Sequence, residues 1–121
     1  RQKKAFRISR MLLSAKIDFG RVLKTKPISK DHLFKVYALQ NDLDASRLGI
    51  SLPKHRIKNA TNRNTLKRKI RNTLDPLSSL SADIVFVYIG GGESYDAKIV
   101  KESVEHHKNI IQETAEKNWK T

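Results

Sequence analysis

Between Asn59 and Leu74 the chain places Leu66, Ile70 and Leu74 four residues apart. Arg63, Lys67, Arg68, Lys69 and Arg71 crowd the same stretch without one acidic residue. Aliphatic side chains at that spacing define an amphipathic helix whose stripe must be covered by another layer of structure. The helix begins at Asn59 or Ala60, and Asp75-Pro76 stops it, because proline disfavours helical geometry in the residue before it. Its five cations span about two and a half turns. Like charges at i, i+4, such as Arg63 with Lys67, destabilise an isolated helix by about 0.2–0.5 kcal/mol per pair. A polyanion lying on the outer face offsets that repulsion. On the helical wheel Asn64, Arg68 and Arg71 share one face, Lys67 borders the stripe, and Arg63 continues its line. The segment therefore asks for a covering layer on one side and an anion on the other.

The flanking segments supply strands. His32 to Leu39 is rich in strand formers and nearly apolar throughout, as a strand covered on both faces would be. Asn41, Asp42, Leu43 and Asp44 form a turn cluster that predicts a hairpin connection. Leu48, Ile50 and Leu52 then alternate with Arg47, Gly49 and Ser51, and Pro53 ends the strand. Ile84 to Ile89 is a β-branched and aromatic strand followed by Gly90, Gly91 and Gly92. Ser94 is placed to cap a long last helix carrying Val100, Val104, His107, Ile111 and Ala115 at three- to four-residue spacing. Ahead of these, residues 1–13 read as a basic extended arm. Ser14 is placed to cap a helix to about Lys24 with Ala15, Phe19 and Val22 on one face, and a loop follows at Pro27 and Ser29. The order α-β-β-α-β-α predicts an α+β two-layer sandwich with one central sheet. At 121 residues, 38% of them hydrophobic, the whole chain is expected to form a single domain, residues 1–121.

Charge narrows the function. The formal net charge is +13, and it is unevenly spread. Residues 1–30 carry 10 basic and 1 acidic side chains, and residues 54–71 carry 8 basic and none acidic. Residues 72–121 reverse the balance with 5 basic and 8 acidic. Two basic blocks that meet in space make one electropositive face that releases counterions from phosphates, so nucleic acid is the leading partner. Two separate solvated faces are the plainer alternative. No apolar run approaches the roughly 18–20 residues of a membrane span, and no signal-peptide core follows the basic start. The absence of cysteine excludes disulfides, thiolate chemistry and Cys-based zinc sites, and fits a reducing cytoplasm.

The sequence Arg47-x-Gly49, a basic strand exit, Asn59-Ala60 and Arg63-Asn64-x-x-Lys67-Arg68-x-x-Arg71 resembles the signature of the bacterial ribonuclease P protein component. Asp18-Phe19 followed by Val22 is similar to that family's first helix, and Phe34 and Tyr37 fall on its first strand. Three features depart from the pattern. Thr65 replaces the second arginine of Arg-Asn-Arg, Leu23 stands where many members have an aromatic, and the Lys54 to Lys58 connection is one residue longer and lacks a glycine.

The resemblance implies a ribosomal-protein-like domain with a left-handed βαβ crossover. It also implies a division of labour in which a catalytic RNA subunit holds Mg²⁺ and hydrolyses the phosphodiester at the mature 5′ end of tRNA. The protein, expected to be a cytoplasmic monomer in a 1:1 complex with that RNA, would bind both it and the 5′ leader of precursor tRNA. Arg63, Asn64, Lys67, Arg68, Arg71, Lys54 and Lys58 would contact phosphate and sugar groups. Phe19 and Tyr37 would line a leader cleft, where aromatic–base stacking tolerates any base. Both aromatics are equally placed to be packing residues.

Two rivals follow from charge alone. One is a non-catalytic basic RNA-binding module of ribosomal or nucleoid type. The other is a self-contained metal-dependent nuclease, which needs convergent carboxylates or histidines. Asp42 and Asp44 sit in a turn, Asp18 stands alone, and adjacent His106 and His107 point about 100° apart on a helix. No protein-borne catalytic or metal site is therefore expected. Gly90 to Gly92 lacks the Lys-Ser/Thr of a phosphate-binding P-loop, and the Asn59-Ala60-Thr61 sequon is coincidental without secretion.

Overall fold

The computed structural model describes residues 12–13, 17, 19–41, 46–53, 55–90 and 96–119. Its strands are β1 (Leu12–Leu13), β2 (Ser29–Lys30), β3 (Phe34–Gln40), β4 (Arg47–Ser51) and β5 (Ala82–Tyr88). Its helices are α1 (Phe19–Leu23), α2 (Ala60–Leu74) and α3 (Ala97–Asn118), with a 3₁₀ segment at Asp75–Leu80. The sheet order is β1-β4-β5-β3-β2.

Strand β5, apolar but for Asp83, takes the centre. It runs antiparallel to β3, with Tyr37 opposite Val85, and parallel to β4, with Gly49 opposite Val85. The predicted β3–β4 hairpin does not form, because β5 lies between those strands. Residues 42–45 of that connection lie outside the described residues. Adjacent parallel β4 and β5 are joined through α2, which makes the βαβ crossover.

Alternation along the strands assigns two faces. Phe34, Val36, Ala38, Leu48, Ile84, Phe86 and Tyr88 face α2 and α3 and meet Leu66, Ile70, Leu74, Val100, Val104 and Ile111 in the main core. Each buried aliphatic of that set contributes roughly 1.5–3 kcal/mol relative to exposure. The opposite face carries Tyr37 and Val85, closed by Ile17 and Val22 beneath α1. The predicted stripe on α2 is thus the seam between helix and sheet, and Trp119 packs against the edge of the same core.

Helix termini follow local chemistry. The Asn59 side chain accepts the Asn62 N–H at 3.1 Å, and helix α2 ends before Asp75 as expected. Helix α3 is capped by Asp96, which accepts from Lys98 and Ile99, rather than at Ser94, which lies outside the described residues. Helix α1 is shorter than predicted. Ile17 is a bend and the helix starts at Phe19; Ser14, the expected cap, is not among the described residues. The basic arm also ends earlier than predicted, since Leu12–Leu13 pairs with Arg47 and Leu48 in parallel.

A buried polar cluster ties the β2–β3 hairpin to α3. His107, fully buried, has Nδ1 2.6 Å from the Ser29 hydroxyl, while Nε2 stands 3.2 Å from Asp31 Oδ2 in an off-line electrostatic contact. Asp31 also accepts from the Ser103 hydroxyl at 2.6 Å and from the Leu33 and Phe34 N–H groups at 2.9 Å. Burial pushes the Asp31 carboxyl up. The Ser103 hydroxyl, the two N–H donors and the facing His107 outweigh burial and lower its pKa to about 2.

Candidate nucleic-acid interface

The basic helix α2 presents its cations as the stripe dictates. With Leu66, Ile70 and Leu74 turned into the core, Asn64, Lys67 and Arg68 project into solvent and Lys69 and Arg71 are half-exposed. Among the described residues, no carboxylate pairs with Lys67, Arg68 or Lys69. Arg63 has a structural share as well: its Nη1 donates to the carbonyls of Ile57 and Lys58 at 2.8 and 3.0 Å, clamping the entry to the helix. Lys58 is exposed beside it. Lys54 lies outside the described residues.

The aromatic site lies on the other side of the sheet. Phe19 begins α1 and lays its ring over Gly49, where any Cβ would stand 2.6 Å from Cζ. That contact explains the glycine of Arg47-x-Gly49 physically: only a residue without Cβ lets the ring settle on the strand. Tyr37, expected either to line the cleft or to pack on the sheet, is 9% exposed and packs with Ile17, Val22 and Val85. Val22 of helix α1 lies against it, and Phe19 packs on the same cluster.

The next row of the same face remains half-exposed and was not singled out from sequence: Lys35, Val87 and Ser51 pair across β3, β5 and β4. Period-two counting from Tyr37 and Val85 was the available signal. Half-buried Phe19 and Val87 pack against the Tyr37–Val85 cluster, and half-exposed Lys35 lies opposite Val87 on the same face.

The expectation that the two basic blocks make one electropositive face falls largely on residues outside those described. The sheet separates helix α2 from Phe19, because α2 is sealed to one face by its stripe and alternation turns Tyr37 and Gly49 to the other. Most of the N-terminal basic block, including residues 1–11 and Lys16, lies outside the described residues.

Arg47 is committed to the protein. It donates through Nε to Asp83 Oδ1 at 2.9 Å and through Nη2 to Oδ2 at 2.7 Å, while Asn41 Nδ2 donates to Oδ1 at 2.9 Å. Burial pushes Asp83 up, but the Arg47 and Asn41 hydrogen bonds and the charges of Arg47 and Arg21 hold it below the usual carboxylate range. Because Arg47 and Asp83 are also register partners, this forked pair locks β4 beside β5.

Among the described residues, no three histidine or carboxylate side chains converge. His107 is buried and His106 exposed; Asp18, Asp42 and Asp44 lie outside the described residues. No described helix is long and apolar enough to cross a membrane.

These features define a small, strongly basic α+β protein with an acid-free helix on one side of its sheet and Phe19 on the other. The chain belongs to the ribonuclease P protein component family. The family described as Ribonuclease P matches residues 9–112. The ribonuclease P protein component of Streptococcus equi subsp. equi is 33% identical over 106 residues, covering 86% of this chain and 84% of that one. A second, from Streptococcus pyogenes, is 31% identical over 112 residues and covers 91% and 89%. Among solved structures, the Staphylococcus aureus RNase P protein superposes with a TM-score of 0.68 at 29% identity, covering 83% of this chain and 94% of its own. The Thermotoga maritima protein shares the fold, with a TM-score of 0.55 at 24% identity, over 88% of this chain and 96% of its own. Membership makes this chain a partner of a ribonuclease P RNA subunit in tRNA processing.

Proposed function

We propose that this protein binds the catalytic RNA of ribonuclease P through the outer face of α2 and holds the 5′ leader of precursor tRNA along the Phe19 face of the sheet. The holoenzyme then removes the leader and creates the mature 5′ end. The observation that carries the reading is the set of unpaired cations on α2, Lys67, Arg68 and Lys69, on a helix whose other side is sealed to the core. Nothing described in the protein neutralises them, and a phosphate backbone does. Asn64 and Arg71 extend that face, Arg63 and Lys58 reach it from the helix entry, and Lys54 belongs to the same connection in sequence.

Chemistry is assigned to the RNA subunit, with Mg²⁺ carried by that RNA and the substrate. Two buried or half-buried carboxylates that could have served such chemistry are engaged within the fold: Asp31 by Ser103, two N–H groups and His107, and Asp83 by Arg47 and Asn41. The complex is read as one protein per RNA, working in the cytoplasm.

The test is cleavage of precursor tRNA at low Mg²⁺ by the cognate catalytic RNA with and without the protein. Stimulation by the protein, and weaker stimulation by Arg68→Ala at the same sub-saturating concentration, is the expected result. A protein-alone reaction belongs in the same experiment, because one Staphylococcus aureus neighbour is described as an RNase P protein mutant with defective mRNA degradation activity. Precursor cleavage by this protein without RNA would overturn the assignment of roles.

A further inference from the structure

Helices α2 and α3 pack side by side, and their seam opens into a depression of about 300 Å³ lined by Thr65, Arg68, Lys69, Asn72, Thr73 and Lys101. Five of these lie at i, i+3, i+4, i+7 and i+8 along α2, the face bordering the Leu66-Ile70-Leu74 stripe; the sixth comes from the second turn of α3. All six side chains offer hydrogen-bond donors, three carry positive charge, and none is acidic. Glu102 and Glu105 are exposed on α3 but do not line the depression.

The guanidinium of Arg68 and the ammonium groups of Lys69 and Lys101 line it together with the hydroxyl and amide side chains of Thr65, Thr73 and Asn72. A concavity with three cations, further donors from Thr65, Asn72 and Thr73, and no carboxylate suits an anionic group whose tetrahedral oxygens only accept. We infer that the α2–α3 depression is a built phosphate-binding site, and that it seats a backbone phosphodiester of the RNA partner. The RNA footprint thereby extends from α2 onto α3, with Lys101 as its far contact. This inference rests on the RNA-binding reading above. It adds to it a second element and a residue from the acidic C-terminal part of the chain that charge counting passes over.

The test measures the affinity of the full-length protein for the catalytic RNA as a function of salt. The variants are Lys101→Ala, Thr73→Glu and, as a charge-matched control outside the depression, Lys117→Ala. Lys101 and Lys117 are both exposed, so the lysine variants keep the fold. A seated phosphodiester makes Lys101→Ala several-fold weaker and flattens the log–log salt slope by about 0.7–0.9, one phosphate's share. Thr73→Glu should weaken binding further, and Lys117→Ala should leave the slope in place.

Equal slopes for Lys101→Ala and Lys117→Ala overturn the site while leaving the wider reading intact. If the unaltered protein fails to bind the RNA at all, the wider reading falls and takes this site with it. A parallel titration with inorganic phosphate at fixed ionic strength separates the two sources of the anion. Phosphate that displaces RNA from the unaltered protein but not from Lys101→Ala supports the shared site. Phosphate that binds at Lys101 without affecting RNA marks a small-anion site and overturns the assignment to RNA.

Discussion

The ring of Phe19 lies so close over Gly49 that a Cβ there would come within 2.6 Å of Cζ and 2.8 Å of Cε1. One residue's missing side chain thus decides where the other's aromatic face rests. Gly49→Ala should force the ring outward, costing about 1–3 kcal/mol as overpacking does. It should also reduce discrimination between leader-bearing and mature tRNA. Urea unfolding and paired tRNA affinities check both. Gly49→Ala combined with Phe19→Leu should recover part of the stability and none of the discrimination.

Arg47 and Asp83 hold β4 in register with β5 through two hydrogen bonds. Arg47→Met should cost about 1.5–3 kcal/mol near pH 7, since it leaves a buried carboxylate short of a charged partner. Without the guanidinium the Asp83 carboxyl rises. Protonation then relieves the variant as pH falls through that higher value, whereas the unaltered protein gains no such relief. The stability gap between the two should therefore narrow from pH 7 to pH 4.5 in urea titrations, and a constant gap would place the cost elsewhere.

His107 gives the fold an acid-sensitive seam. Burial lowers its pKa below the usual histidine value, and the facing Asp31 carboxylate and neighbouring His106 respectively oppose and add to that shift. The unfolded chain therefore takes the proton first, and stability falls as pH drops below about 6.5. Asp31 works lower on the scale: held at about 2, it contributes stability that is complete above 3.8 and is lost between 3.8 and about 2. His107→Gln should remove the decline between pH 7 and pH 5.5 while keeping the acid-range loss. An unchanged slope in that variant would sink the assignment.

Helix α2 separates stability from binding by face. Ile70→Ala should cost about 2–5 kcal/mol, because its side chain is fully buried in the main core. Arg68→Ala should change stability by no more than about 0.5 kcal/mol, since Arg68 is exposed. Its effect belongs in RNA affinity, which should fall with a slope flatter by about one phosphate's share. Thermal unfolding beside salt-dependent RNA binding distinguishes the two.

Local chemistry made much of this molecule legible in advance. The Leu66-Ile70-Leu74 stripe, the helix start at Ala60, the Asp75-Pro76 stop and the apolar run through β5 each depend on residues close in sequence, and each appears where expected. Two-residue strands β1 and β2 carry too few side chains to show a period, so Leu12–Leu13 read as arm and Ser29 as loop. The cap at Asp96 competes with Ser94 on equal local terms, and residue types alone do not choose between them.

What the sequence by itself determined is the inventory: an amphipathic basic helix, apolar strands, and a charge distribution that calls for a polyanion. Tertiary structure decided which of these lie together. Inserting β5 between β3 and β4 abolished the expected hairpin, put the cations of α2 and the ring of Phe19 on opposite faces of one sheet, and set Tyr37 against Val22 of α1. It also carried Lys101 across to Arg68 and Lys69. The physical reason is that periodicity fixes which side of an element is apolar, while strand order and face are chosen by burial summed over contacts distant in the chain, which no local window contains.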